Sequence, residues 1–223
     1  MKKIYAILFV LFFVPLTFGQ LVPKFGLGVN VGMALPQGDM GDLYKTGYGG
    51  SLTVILPVPG PFEVSASVGY NQFKFNNDYI NKLFKEATGT DPNLDLDMPL
   101  SVVPITANAR YYFTPALVRP YAEVNLGVSI ATIKATLPDP IPGNPYHVKT
   151  SEASETKQYL GVGVGVVLGI GLLTNIDINA RYALLGHEFA QQTVSTSGGS
   201  TTYTESKSNG SYFGISAGVR VKL

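Results

Sequence analysis

Eight stretches of this sequence alternate apolar and small or polar residues with a strict period of two. They run through 25–35, 47–56, 62–74, 101–113, 119–131, 158–170, 175–189 and 211–222. In the sixth, Leu160, Val162, Val164, Val166, Leu168 and Ile170 alternate with Gly161, Gly163, Gly165 and Gly169. Alternation at 180° per residue is the signature of a strand with two unlike faces. These segments, at 10 to 15 residues, exceed the usual strand of roughly 5–6 residues. They suit the roughly 9–11 residues that a tilted strand needs to cross a bilayer.

The connections carry a second signal. Those at 57–61, 114–118 and 171–174 are short, whereas 36–46, 75–100, 132–157 and 190–210 are long. Short and long alternate along the chain. A closed up-and-down barrel in an outer membrane has short periplasmic turns and longer outer loops. A soluble sandwich has no reason to sort its loops by parity.

Composition decides which face is inside. Charged residues are 14% of the chain, mean hydropathy is +0.19, and 16 basic residues face 15 acidic ones. That balance excludes a disordered chain and a basic nucleic-acid-binding footprint. The non-apolar face of the strands is mainly Gly, Ser and Asn, where a water-exposed face would carry Lys, Glu and Thr. The apolar face therefore meets lipid, and the small residues line a narrow lumen that side chains must just fill. A closed barrel also pairs every backbone group, as hydrocarbon requires. The reading is all-β, an eight-stranded antiparallel up-and-down transmembrane β-barrel. A lipocalin-like soluble barrel is the rejected alternative.

The first residues read as an address. Lys2 and Lys3 precede the apolar run Ile4 to Val14, and Thr17 and Gly19 are small residues before Gln20. That is the pattern of a cleavable signal peptide at 1–19, leaving a barrel domain at 20–223. The apolar run is too short for a spanning helix.

The fourth and fifth segments contain Pro104-Ile105-Thr106-Ala107-Asn108-Ala109-Arg110-Tyr111-Tyr112-Phe113 and Pro120-Tyr121-Ala122-Glu123-Val124-Asn125-Leu126-Gly127. The chain ends Ser216-Ala217-Gly218-Val219-Arg220-Val221-Lys222-Leu223. On these stretches, 25–223 resembles the small eight-stranded outer-membrane β-barrels of Gram-negative bacteria, OmpX-like and OmpA-transmembrane-domain-like. The resemblance implies an outer-membrane location and an end segment that engages the assembly machinery. The chain departs from that segment's pattern in ending on Leu223, not on an aromatic. It has no Trp, so its 13 Tyr and 12 Phe must supply the interfacial girdles.

Parity places Glu63, Glu123 and Asp177 in the same half of the lumen as Arg110, Arg181 and Arg220. Buried charges are expected to pair, and guanidinium groups suit carboxylates. Centring the 114–118 turn sets Arg110 beside Glu123. A second pair is expected among Asp177, Arg181 and Arg220. A structural plug is the main reading of this cluster, and a gate or narrow ion path is the alternative.

Outside the barrel, Ile80, Leu83, Phe84 and Ala87 have helical spacing and predict a helix over 78–88, with Gly89 as its C-cap. Its apolar stripe either packs on the rim or contacts lipid or a partner. Asp91, Asn93, Asp95 and Asp97 form a candidate weak cation loop. However, Leu96 and Val102 stand where a calcium loop has Gly and Glu, so a solvated acidic loop is the main expectation. The proline-rich loop at 132–157 reads as stiff, and the Ser/Thr/Gly-rich loop at 190–210 as mobile.

Catalytic groupings are scarce. There is no Cys, and the two His are His147 and His187. His187 reads as an inward-facing rim residue with no His-x-Ser pattern. No catalytic residue, metal site or cofactor is assigned. The expected function is structural, or surface recognition through four outer loops. A narrow porin-like pore is the alternative, and a lipid-modifying enzyme is less favoured. Expected partners are outer-membrane lipid, the assembly machinery and an extracellular ligand at the loops. A monomer with no nucleic-acid partner is expected.

Overall fold

A computed structural model describes residues 25–90, 93–135, 151–197 and 200–223. Its elements run β1 Gly26–Gln37, α1 Asp39–Leu43, β2 Gly47–Pro57, β3 Phe62–Phe73, α2 Asn77–Thr88, β4 Leu100–Tyr112, β5 Val118–Ala135, β6 Ser151–Gly169, β7 Thr174–Ser197 and β8 Ser200–Lys222. Each strand pairs with its neighbours in sequence, and β1 pairs antiparallel with β8 to close the barrel. The expected signal peptide at 1–19 lies outside the described residues.

The alternation becomes an outside and an inside. Val29, Val31, Leu52, Val68, Val124, Leu126, Val162 and Val164 point out and are exposed. Glu63, Asn108, Arg110, Tyr121, Glu123, Asn125 and Asp177 point in and are buried. A continuous apolar exterior on this scale is a membrane-facing surface. Near the short turns, the ring centroids of Phe62 and Tyr111 lie 5.3 Å apart and those of Tyr111 and Phe113 5.5 Å apart. These exposed aromatics, with Tyr48, Tyr70 and Tyr182 towards the other end, do the work of the absent Trp.

The glycines of β6 have a packing reason. Tyr121, Glu123 and Asn125 of β5 stand opposite Gly165, Gly163 and Gly161. A Cβ on Gly165 would lie 2.4 Å from the Tyr121 hydroxyl, and one on Gly161 would lie 2.8 Å from Asn125 Oδ1. The bare strand gives the large β5 side chains room to lie across it.

Two expectations need correction. The segment 190–210 is mostly strand where a loop is expected, because β7 and β8 stay paired as far as Ser197↔Ser200. Likewise β5 and β6 pair up to Ala135↔Ser151, so only 136–150, outside the described residues, separates them. Strict parity of loop length therefore fails at the last connection. Beyond the lipid a strand needs no apolar face. Ser- and Thr-rich sequence then pairs well without the alternation that marks a half-buried strand.

Replacing Gly165 by Val should displace the Tyr121 ring and destabilise the barrel by about 1–3 kcal/mol. Val164→Leu, on the lipid face, should cost far less. Urea unfolding in lipid vesicles, followed by heat-modifiable gel migration, measures both.

Candidate functional site

The lumen is filled in layers. Towards the short-turn end lies a charged layer centred on Arg110. In the ladder Arg110 faces Glu63 on one side and Glu123 on the other. Arg110 Nε donates to Glu123 Oε2 at 2.8 Å, and Nη1 donates to Asp177 Oδ2 at 2.6 Å. Glu63 Oε1 is 3.9 Å from the same Nη1. The guanidinium carbon also sits 4.3 Å from the Tyr121 ring centroid.

The remaining charges interlock with this centre. Arg220 Nη2 donates to Glu63 Oε1 at 2.5 Å, and its Nη1 donates to the Tyr112 hydroxyl at 2.8 Å. That hydroxyl donates onward to Glu63 Oε2 at 2.9 Å. Arg181 Nη2 lies 3.3 Å from Glu123 Oε1, which also accepts from Asn179 Nδ2 at 3.1 Å. Tyr121 donates to Asp177 Oδ1 at 2.7 Å. The structure thus brings all six expected lumen residues together, but the second expected pairing is revised. Asp177 is held chiefly by Arg110, with Arg220 Nε only at 3.9 Å. Arg181 goes to Glu123, and Arg220 goes to Glu63. The reason is reach: in so narrow a barrel a side chain on β7 touches β4 across the lumen, and ladder neighbours no longer decide the pairing.

A polar layer follows. Ser67 and Thr106 hydroxyls are 2.8 Å apart, Thr106 donates to Asn108 Oδ1 at 2.9 Å, and Asn125 Nδ2 donates to the same oxygen at 2.8 Å.

The outer end is closed by an apolar plug that the alternation did not foretell. Met40 of α1 is tucked in beside Tyr44, Phe73, Leu100, Val102, Leu185, Phe189 and Tyr212, all buried. Tyr44 meets Phe189 edge-on, with centroids 6.2 Å apart, and its burial raises the phenol to about 12. The signal was present in 36–46, where Met40 and Tyr44 are apolar or aromatic within a connection. Only their return into the lumen makes them core.

His187 lies inside the outer end and is buried. Its Nε2 is 3.1 Å from both the hydroxyl and the carbonyl oxygen of Ser129, and its Nδ1 is 3.6 Å from Glu155 Oε2. Glu155 is also held 2.8 Å from Lys157. That hydrogen bond, followed by its charge and then by His187, lowers the carboxyl below its ordinary range. Sequence spacing could not show this Ser–His–Glu grouping, because its members sit on β5, β7 and β6. Ser129 is fully buried. The group ties three strands together where the β6–β7 ladder ends at Tyr159↔Leu185.

The helix α2 starts one residue before the expected 78–88 and ends on Gly89 with φ 73°. Leu83 and Phe84 on it are exposed, so the expected stripe is not fully packed on the rim. In the candidate cation loop, Asp95 Oδ1 accepts from Asn77 Nδ2 at 3.1 Å, and the amides of Leu94 and Leu96 donate to Asn81 and Asn77. The loop is thereby sewn to α2. Asp91 lies outside the described residues, and among those described no three acidic or histidine side chains gather at Asn93, Asp95 and Asp97.

These features define a transmembrane β-barrel with a filled lumen. No protein-family model matches the sequence, and no curated protein matches it. Solved structures do match its fold. Neisserial surface protein A is similar with TM-score 0.53 at 18% identity, over 89% of this chain and 97% of that one. A major outer membrane protein from Thermus thermophilus gives 0.58 at 15% identity, over 91% and 100%. OprG from Pseudomonas aeruginosa gives 0.50 at 12% identity, over 90% and 97%. The fold is that of the small eight-stranded outer-membrane barrels. With the lipid-facing belt that this chain itself carries, it is an outer-membrane β-barrel protein.

Removing Arg110 would leave buried Glu123 and Asp177 without their main cation. Arg110→Met should therefore cost about 3–5 kcal/mol in unfolding free energy. Arg119→Met, at the half-buried mouth, should cost much less. Equilibrium unfolding in vesicles distinguishes the two.

Proposed function

We propose that this barrel is a rigid, plugged scaffold that acts structurally or in surface recognition through its outer arms and loops, without catalysis and as a monomer. The observation that carries this reading is the double closure of the lumen. The Arg110 layer blocks one end, and the Met40–Phe189 plug blocks the other. The surface for a partner is the outer rim, where α2 exposes Leu83 and Phe84 and β7 and β8 run on as paired strands to Ser197↔Ser200. The burial of Ser129 supports a non-catalytic reading of the His187 grouping.

The narrow-pore reading has one observation in its favour. A cavity of about 60 Å³ lies beside Arg181, lined by Asn30, Ser51, Asn71, Asn179 and Tyr212. Val31, Met33, Pro104 and Ile215 complete its mixed lining, and it has room for water. Its lining includes neither Arg110 of the charged layer nor Met40, Tyr44 or Phe189 of the apolar plug, which favours the plug reading.

Planar-bilayer recording of the refolded protein should show no steady conductance, and Glu123→Gln should introduce none. A stable open channel in the wild type, altered by that substitution, would overturn the plug. For recognition, replacing 77–97 and 190–207 by short turns should keep heat-modifiable migration. It should also abolish adhesion of expressing cells to host-cell or matrix surfaces. Unchanged adhesion would remove the loops from the function.

A further inference from the structure

The charges of the lumen divide into a closed set and a remainder. Glu63, Glu123 and Asp177 balance Arg110, Arg181 and Arg220. Two further cations, Arg119 and Lys222, share the inward parity of Tyr121 and Arg220 and sit at the short-turn mouth. Among the described residues no Asp or Glu carboxylate lies within 4.0 Å of either. Nor do the neighbouring turns offer one, because 57–61, 114–118 and 171–174 contain no acidic residue. The acids Asp39, Asp42, Asp78, Glu86, Asp95 and Asp97 are all at the opposite end. The side chains of the short-turn mouth therefore leave positive charge in excess.

It is also a cavity. Arg119, Lys222, Asn175 and the Glu63–Arg220 pair line a space of about 260 Å³, together with Ile55, Val58, Phe62 and Val221. The volume falls just short of the roughly 300 Å³ at which small-molecule sites usually begin, which suits a small ligand. Arg119 is held ready. Its guanidinium carbon is 5.1 Å from the Tyr112 ring centroid, and Nη2 donates to Asn175 Oδ1 at 3.4 Å. That long bond and the ring leave the planar fork largely unspent, and such a fork is matched to carboxylate and phosphate oxygens.

We propose that this vestibule binds a small organic anion, a phosphate or carboxylate carried on an apolar group. Arg119 takes the anion as a fork, Lys222 adds charge at the entrance, and Ile55 and Val58 receive the apolar part. The Glu63–Arg220 pair forms the floor and stays paired with itself. The anion has two sources, a phospholipid headgroup at the barrel edge or a free solute.

The test uses the full barrel, labelled with ¹⁵N and refolded into phosphatidylcholine nanodiscs, with phenyl phosphate as the probe. Saturable shifts are expected at the Arg119 side chain and the Asn175 amide. Inorganic phosphate and benzyl alcohol, each holding half of the chemistry, should bind more weakly. Losing a charge-assisted contact should weaken phenyl phosphate about tenfold in Arg119→Gln. Lys222→Gln should weaken it less, and Lys45→Gln at the outer end should leave it unchanged. If Arg119→Gln does not fold, Arg119→Lys keeps the charge but loses the fork and should still weaken binding.

Nanodiscs containing phosphatidylglycerol separate the sources. Shifts at Arg119 before any probe is added, with weakened probe binding, identify a lipid headgroup. An unchanged titration identifies a free solute. The proposal fails if phenyl phosphate gives no saturable shift at the vestibule. It also fails if the titration is indifferent to the folded Arg119 variants, or if benzyl alcohol binds as tightly as phenyl phosphate.

Discussion

The structure depends on the pairing of β1 with β8. In hydrocarbon a free strand edge leaves a row of amides and carbonyls without partners, at several kcal/mol for each group. The ladder from Gly26↔Lys222 to Gln37↔Ser211 removes that edge. Closure then forces everything else. It separates one face of every strand into lipid and the other into a lumen too narrow to hold bulk water. Whatever points inward must be paired, packed or very small.

The inward residues meet that demand differently along the axis. Near the short turns, charge is matched with charge, and tyrosine hydroxyls and Asn179 fill the remaining bonding capacity of the carboxylates. A buried network of this kind is weak evidence for net stability, since desolvation offsets much of the attraction. It does specify which strand faces which, because a shifted register would strand a charge. Towards the outer end the same lumen is closed by apolar packing, supplied in part by a loop residue, Met40. The bare β6 face and the heavy β5 face are one device, since neither would fit without the other.

Much of this was legible in the sequence. The strand cores, the inward and outward faces, the short turns and the membership of the six-charge layer all follow from parity. Arg110 beside Glu123 follows from centring a short turn. What was illegible has identifiable causes. Contacts across the lumen, such as Arg110 with Asp177, depend on barrel diameter and tilt, which no local pattern records. The Ser129–His187–Glu155 grouping joins three strands and has no spacing signature. The outer arms of β7 and β8 lie beyond the lipid, where pairing continues without alternation, so a loop was expected at 190–210.

The sequence by itself determined that eight strands would present an apolar surface to a membrane, because a period of two assigns each side chain to a face before any folding takes place. It also determined which charges would have to be buried. Only the tertiary structure decided who pairs with whom, which loop returns to seal the lumen, and which cations are left over at the short-turn mouth. Those outcomes depend on distances across a closed barrel, and a distance across the barrel exists only once β1 has met β8.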